Sequence, residues 1–519
     1  MILRLIGHDY KYAVEQVLLT LFPEERPVYE DVDEISSVAV NRRGGQTPCV
    51  PTAEIRLSHG PKVSTAVTEL WYEGVWYRGV AKVARPEQGS GEGKNRVELV
   101  YARQMQKIIK LSFYRAATTA TGIVPPWGAL TGIRPGKRAT ALLEAGIAPA
   151  EVKRVFVTEY EVSPQRAALC LDTARAGLKA KASLTSRDIC LYVSIPFCPT
   201  RCTYCSFVSN DVERSGRLVE PYLAALRWEI AVTAQIVREL GLRVQSLYIG
   251  GGTPTSLSAS QLRSLTGALA TEFDLSHLRD YTVEAGRPDT LDLEKLRVLK
   301  DAQVSRICIN PQSMEDPVLA AIGRRHTAAD IVSAVELVRS VGFPVLNMDL
   351  IAGLPADTAA GFARTLGRVL EFGAENVTVH TLALKKGSHI KADAVPIPGP
   401  EAVGEMLDMA LASLGEAGYL PYYLYRQKFT AGGFENVGWC LSGFENLYNI
   451  AIMEELCSII SLGAGASTKL VDAHTGRIPR SYNPKFPLEY TDGIDRILAA
   501  KEKIKPFFIE EVFSHGSDL

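Results

Sequence analysis

The run Cys198-Pro199-Thr200-Arg201-Cys202-Thr203-Tyr204-Cys205 sets three thiols at CxxxCxxC spacing on one short loop, with no fourth ligand beside them. A closed structural zinc site takes four protein donors, usually as two separated pairs. An iron–sulfur cube held by three cysteines keeps one iron open to a further ligand. The alternatives are a zinc knuckle or thiols that are simply buried. The apolar run Ile189 to Ile195 ahead of the loop reads as a strand, so the thiols stand at a strand's C-terminal end. That is the end at which α/β barrels carry their chemistry.

A second element, Tyr248-Ile249-Gly250-Gly251-Gly252-Thr253-Pro254-Thr255, closes the next strand-like run. Its three glycines let backbone come close to a ligand, and Thr253 offers a hydroxyl. Polar residues recur at the later strand ends. Glu284 stands in Val283-Glu284-Ala285-Gly286, Gln312 in Asn310-Pro311-Gln312-Ser313, Arg324 in Ile322-Gly323-Arg324-Arg325-His326, and Asp349 in Asn347-Met348-Asp349-Leu350-Ile351. An apolar barrel interior does not tolerate such groups without partners, and four of them at one end point to a bound ligand. His326, His380 and His389 are read as hydrogen-bonding or core residues, not as haem or metal ligands.

These residues need a scaffold, and the chain between about 185 and 385 supplies one. Strand-like runs at 189–195, 245–250, 281–285, 304–310, 345–351 and 377–382 alternate with helical stretches such as 218–239 and 327–341. Alternation of this kind implies parallel strands joined by right-handed crossovers. Six units make an α/β fold of incomplete (βα)6 barrel type, open on one side, which suits a large substrate. Residues 1–185 read as an N-terminal α/β domain. It holds a strand and an amphipathic helix over 1–30, a hairpin over 53–85 around Tyr72-Glu73-Gly74, a Gly-rich loop over 86–95, and helices over 97–111 and 136–180. The barrel takes 186–395. The run Pro396-Ile397-Pro398-Gly399-Pro400 then breaks regular structure and opens a small C-terminal α/β cap over 396–519, expected to be the substrate-binding region.

Composition narrows the class. The 519 residues, 46% hydrophobic and 22% charged, describe a soluble globular chain with ample core. A formal net charge of −1 argues against a polyanion-coating protein, and no basic stripe with interleaved aromatics suggests a nucleic-acid partner. No run of 18 apolar residues predicts a membrane span, and the N-terminus lacks the pattern of a secretory signal. Nine cysteines, six of them scattered (Cys49, Cys170, Cys190, Cys308, Cys440, Cys457), predict a reducing cytoplasm and structural roles for those six.

Taken together, the thiol loop with Tyr192-Val193-Ser194-Ile195-Pro196-Phe197 ahead of it, the GGTP turn, Gln312-Ser313, Ile322-Gly323-Arg324 and Asp349-Leu350-Ile351-Ala352-Gly353-Leu354-Pro355 resemble the radical S-adenosylmethionine (SAM) superfamily. Within it, the branch resembled is that of the oxygen-independent coproporphyrinogen III dehydrogenases. Leu130-Thr131-Gly132-Ile133-Arg134-Pro135-Gly136-Lys137, Tyr423-Leu424-Tyr425-Arg426-Gln427-Lys428, Phe434-Glu435-Asn436-Val437-Gly438 and Leu462-Gly463-Ala464-Gly465-Ala466 look like its HemZ type. The resemblance implies that Cys198, Cys202 and Cys205 ligate a [4Fe–4S] cluster. It implies that Tyr192, Tyr204, Gly251, Gly252, Thr253, Glu284, Gln312, Arg324 and Asp349 line one or two SAM molecules, with Tyr192 and Glu284 also acting in catalysis. Ser206-Phe207 departs from the Gly-Cys that follows the third cysteine in the best-known branch, which bears on the second SAM.

The activity so implied is oxidative decarboxylation of coproporphyrinogen III to protoporphyrinogen IX, anaerobic haem biosynthesis in the cytoplasm. Its partners would be a tetrapyrrole substrate and an electron donor such as flavodoxin or ferredoxin. Arg426 is the expected catalytic cation on the reacting propionate, with Arg134, Lys137 and Lys428 as further carboxylate partners, because a guanidinium matches a carboxylate as a fork. The alternatives are a haem-binding carrier of the same family, a radical SAM haem-degrading methyltransferase, and RNA modification. Carriers typically lack an N-terminal extension like residues 1–185.

Overall fold

The computed structural model describes residues 1–30, 48–85, 94–206, 210–385, 387–427 and 430–515. The Gly-rich loop expected from Pro86 onward and Lys428 lie outside the described residues. The chain divides into two units, Met1–Ile133 with Ile147–Ala168, and Arg134–Gly146 with Leu169–Leu519.

In the first unit, β1 (Ile2–Ile6), β2 (Val28–Glu30), β3 (Thr52–His59), β4 (Val63–Tyr72) and β5 (Val75–Ala84) form one sheet in the order β2-β1-β3-β4-β5. The β4–β5 hairpin turns at Glu73 and Gly74, both at positive φ, as a two-residue turn matched to strand twist requires. Alternation buries Ala53, Ile55 and Leu57 on β3 and Ala66 and Leu70 on β4. The helix Lys94–Thr121 lies close against the sheet: Thr68 Oγ1 is 2.9 Å from Ser112 Oγ. Gly79 is required there, because a Cβ would stand 1.9 Å from the Ser112 carbonyl oxygen. The helical stretch read at 136–180 is three helices: Gly136–Glu144, which belongs to the second unit, Pro149–Tyr160 in the first, and Pro164–Lys181, which runs across the division after Ala168. Gly146 at positive φ, Glu161 in the left-handed region, and prolines that open the next helix each stop the one before.

The second unit carries β6 (Asp188–Ile195), β7 (Phe197–Cys198), β8 (Asn210–Asp211), β9 (Arg243–Gly251), β10 (Asp280–Gly286), β11 (Arg306–Gln312), β12 (Val345–Ala352), β13 (Asn376–Thr381), β14 (Leu420–Arg426), β15 (Glu435–Cys440), β16 (Ser458–Leu462), β17 (Ser467–Lys469) and β18 (Arg480–Tyr482). Eleven of them form one sheet in the order β14-β15-β13-β12-β11-β10-β9-β6-β16-β17-β18, whose two edge strands do not pair with each other among the described residues. Its centre is the expected six parallel strands, β6 and β9 to β13, so the incomplete (βα)6 barrel is the fold. Helix starts are well specified. Ser258 with Gln261, and Thr327 with Asp330, close reciprocal capping boxes.

Residues 396–519 extend this sheet on both sides. β15 and β14 add antiparallel beyond β13, while β16 runs parallel to β6 and leads into β17 and β18. The three-part division at 185 and 395, and the substrate role given to the last part, remain proposals about function. Register decides which side chains share a face. Tyr192 pairs with Tyr248, Glu284 with Cys308, and Asp349 with Thr378. Because side chains alternate, those residues and their i±2 neighbours line one surface of the sheet. Among the described residues no helix is long and apolar enough to cross a membrane.

Candidate functional site

The thiol loop is moored to the GGTP turn by backbone. Gly252 N–H donates to the Ile195 carbonyl at 2.8 Å and Thr253 N–H to that of Phe197 at 2.7 Å. Gly252 has to be glycine at this approach: a Cβ would meet Phe197 O at 2.5 Å and Cys198 Sγ at 3.0 Å. The Thr253 hydroxyl donates toward Cys198 Sγ at 3.5 Å. Thr203 N–H donates to Ile322 O at 3.1 Å, and Cys205 N–H to Cys202 O at 3.1 Å. None of the three cysteines is in a disulfide. Among the described residues no three ligand-type side chains gather tightly enough for a single metal ion. A cube makes a different demand, since each thiolate takes its own iron. Three thiols on a shielded loop, with hydroxyl and guanidinium donors aimed at two sulfurs, fit a cluster and its outer hydrogen bonds.

Beyond the loop, the strand ends form a polar rim. Tyr248 Oη donates to Glu284 Oε1 at 2.6 Å. Desolvation pushes the Glu284 carboxyl up to about 7; nearby Asp349 adds to this, while the Tyr248 and Gly251 hydrogen bonds oppose it. Tyr192, Tyr248 and Tyr448 stack on one another, with ring centroids 4.6 to 6.0 Å apart. Asp349 Oδ1 accepts from Asn347 Nδ2 at 2.8 Å, and Asp349 Oδ2 lies 3.9 Å from His380 Nε2. His380 Nδ1 is 3.4 Å from Tyr425 Oη. Arg324 is buried. Its Nη1 donates to Asn310 O at 2.5 Å and its Nη2 to Tyr204 Oη at 3.2 Å.

Among the described residues, three buried polar atoms on this rim have no hydrogen-bond partner: Gln312 Oε1, Asn310 Oδ1 and Arg324 Nε. Gln312 also holds φ at 66°, a strained value for a residue with a Cβ. Orphaned buried groups beside a strained backbone mark a place built for a polar ligand. SAM, with its amine, carboxylate and ribose hydroxyls, offers suitable partners, so the rim fits that group.

The structure therefore gathers Cys198, Cys202, Cys205, Tyr204, Gly251, Gly252, Thr253, Glu284, Gln312, Arg324 and Asp349 at one end of the sheet, with Tyr192 in the aromatic stack beside Glu284. The cations expected on a substrate carboxylate are elsewhere. Tyr425 reaches His380, so Arg426, the next residue on β14, faces the other side of the sheet. There its Nε donates to Gly433 O at 2.9 Å, and burial pulls the guanidinium down to about 10 against the opposing charge of Glu435. Arg134 and Lys137 both pair with Glu455, which Arg480 also reaches at 3.1 Å. Glu455 stands three residues before the start of β16, which runs parallel to β6, so this network lies at the opposite end of the strands from the thiols. Two contributors lay outside the sequence reading. Tyr248 was legible in principle, two positions before Gly250 on the same face. Tyr448 belongs to a helix 200 positions further on and carries no spacing signal.

Residues 192–369 match the Radical SAM superfamily. Over 416 residues the chain is 37% identical to the oxygen-independent coproporphyrinogen-III oxidase-like protein HemZ of Bacillus subtilis, covering 79% of this chain and 82% of that protein. It is 32% identical to the heme chaperone HemW of the same organism, over 47% of this chain and 64% of that one. A solved structure described as coproporphyrinogen III oxidase (HemN) from Escherichia coli, a radical SAM enzyme, aligns at 23% identity with a TM-score of 0.49, over 63% of this chain and 73% of that one. The chain belongs to the radical SAM superfamily, in the family of HemZ-type oxygen-independent coproporphyrinogen-III oxidase-like proteins.

Proposed function

We propose that this radical SAM protein oxidatively decarboxylates coproporphyrinogen III to protoporphyrinogen IX. The observation that carries the reading is the rim itself: three thiols, the GGT turn and Glu284, with the unpartnered Gln312, Asn310 and Arg324 atoms around them. With a cluster and SAM bound, such a site supplies a hydrogen-abstracting radical; the protein's part is to bind, orient and exclude water. Glu284, Gln312, Arg324 and Asp349 are the residues that would hold SAM, whose amine, carboxylate and ribose hydroxyls could partner them. Tyr192 and Tyr248 wall the site, and Tyr248 fixes the Glu284 carboxylate by its hydrogen bond. His380 and Tyr425, in contact on the same rim, would be the groups to receive the substrate's propionates in place of Arg426.

Carriage of haem is the second reading, favoured by the likeness to a heme chaperone. That likeness spans 47% of this chain, against 79% for the HemZ relative, which supports the dehydrogenase. The test is anaerobic incubation of reconstituted protein with reductant, SAM and coproporphyrinogen III, followed by mass spectrometry of the tetrapyrroles. Loss of carbon dioxide from two propionates is the expected result. Stoichiometric haem binding without any decarboxylation would overturn the proposal in favour of carriage.

A further inference from the structure

Beyond Glu284, the chain turns at Gly286 and sends Arg287 back to the thiol loop, where the side chain is buried. Arg287 Nη1 donates to Thr200 Oγ1 at 2.6 Å and to Thr200 O at 3.2 Å, and it stands 4.0 Å from Cys202 Sγ. Its other edge forks onto Asp289, with Nε to Oδ1 at 3.0 Å and Nη2 to Oδ2 at 2.8 Å. Behind Asp289 lies His326, buried, with Nδ1 3.6 Å from Oδ1. Arg324 is a second guanidinium on Cys202, acting by charge and by a side-chain hydrogen bond, while its Nη atoms also serve Asn310 and Tyr204; Arg287 differs in holding Thr200 of the loop as well.

We propose that Arg287 is a positioning residue for the thiol loop and sets the reduction potential of the cluster that the loop holds, an inference that rests on the cluster reading above. Thr200 lies midway between Cys198 and Cys202, so holding both its carbonyl and its hydroxyl fixes the loop between two ligands. Reduction adds one negative charge to the cluster. A cationic N–H donor beside a ligating sulfur stabilises that reduced form more than the oxidised one, and so raises the potential. Burial keeps solvent ions from screening the effect. Asp289 makes burial of the cation tolerable, and its place on the far side of the guanidinium leaves the positive pole toward the sulfur.

The full-length protein, reconstituted anaerobically, is titrated with reductant while electron paramagnetic resonance follows the reduced cluster. Iron content is measured in parallel. Arg287→Met keeps the stem and removes donors and charge. Its reduced-to-oxidised ratio at a fixed ambient potential should fall roughly tenfold, which is about 59 mV for one electron. Arg287→Lys should recover part of the loss, and Asp289→Asn should move the potential upward by stripping the countercharge. Full iron content in Arg287→Met with an unmoved or raised potential overturns the proposal and leaves the cluster reading intact. Should Arg287→Met fail to retain iron, Asp289→Asn decides, and a potential that stays or falls overturns it. Wild-type protein that takes up no iron defeats the cluster reading and this inference with it.

Discussion

Glu284→Gln is the most informative single change on the rim. Desolvation holds the folded-state carboxyl at about 7, against 4.5 for the exposed group. Below pH 4.5 the folded and unfolded chains both carry the proton. Between 4.5 and 7 the folded chain keeps it while the unfolded chain releases it, so stability falls as pH rises through that window and levels off above it. At about 1.4 kcal/mol per pH unit, the cost of holding Glu284 accumulates to about 3 kcal/mol by pH 7. Glutamine is nearly isosteric, stays neutral and still accepts from Tyr248 Oη through its amide oxygen. The stability difference between variant and wild type should therefore be near zero at pH 4.5 and grow to as much as about 3 kcal/mol in the variant's favour at pH 8. Urea unfolding of the cofactor-free proteins at four pH values measures it. Taking the difference cancels other titrating groups, including Glu454, which burial also raises to about 7. The same variant should bind SAM more weakly by calorimetry, since the amine loses an anionic partner. A stability difference that is flat across pH, or that favours the wild type at pH 8, would refute the desolvation argument.

Gly252→Ala forces a methyl against Phe197 O and Cys198 Sγ, and should cut iron uptake on reconstitution by several-fold while circular dichroism stays native. Normal iron content would show that the loop can shift. Arg426→Ala removes the buried guanidinium whose charge faces the buried Glu435 carboxylate and should destabilise the protein by about 3–5 kcal/mol in urea unfolding. A stable variant that loses product formation alone would return Arg426 to the substrate site. Glu455→Ala leaves Arg134, Lys137 and Arg480 facing one another, so unfolding should shift to lower urea concentration, with the loss partly relieved at high salt.

The six parallel strands were legible because buried runs of six to nine residues, spaced by amphipathic helices, leave few other folds open. The site was legible for a related reason. Most residues of the candidate site stand toward the C-terminal ends of strands, and parallel register brings those ends together however far apart they lie in the chain. Cys198, Gly252, Glu284, Gln312 and Asp349 form one rim on that argument alone. The N-terminal hairpin was equally plain, since Glu73-Gly74 between alternating runs specifies its turn.

What the chain did not disclose is which way its cations face. Arg426 belongs to a motif with four aromatic or polar neighbours, yet whether it or Tyr425 meets the rim depends on a register shift between Pro421 and Tyr423 in the pairing of β14 with β15. One residue of slip exchanges the two faces of a strand, and local composition carries no record of it. Arg134 and Lys137 find Glu455 more than 300 positions away. Arg287, the residue after the end of β10, reaches Thr200 and Cys202 only because Gly286 reverses the chain. Residue types and spacing thus determined the barrel and the strand ends that carry its chemistry, through periodicity and parallel pairing. Tertiary structure alone decided the charge partners, because an ion pair is set by where distant segments dock and by which face each side chain takes.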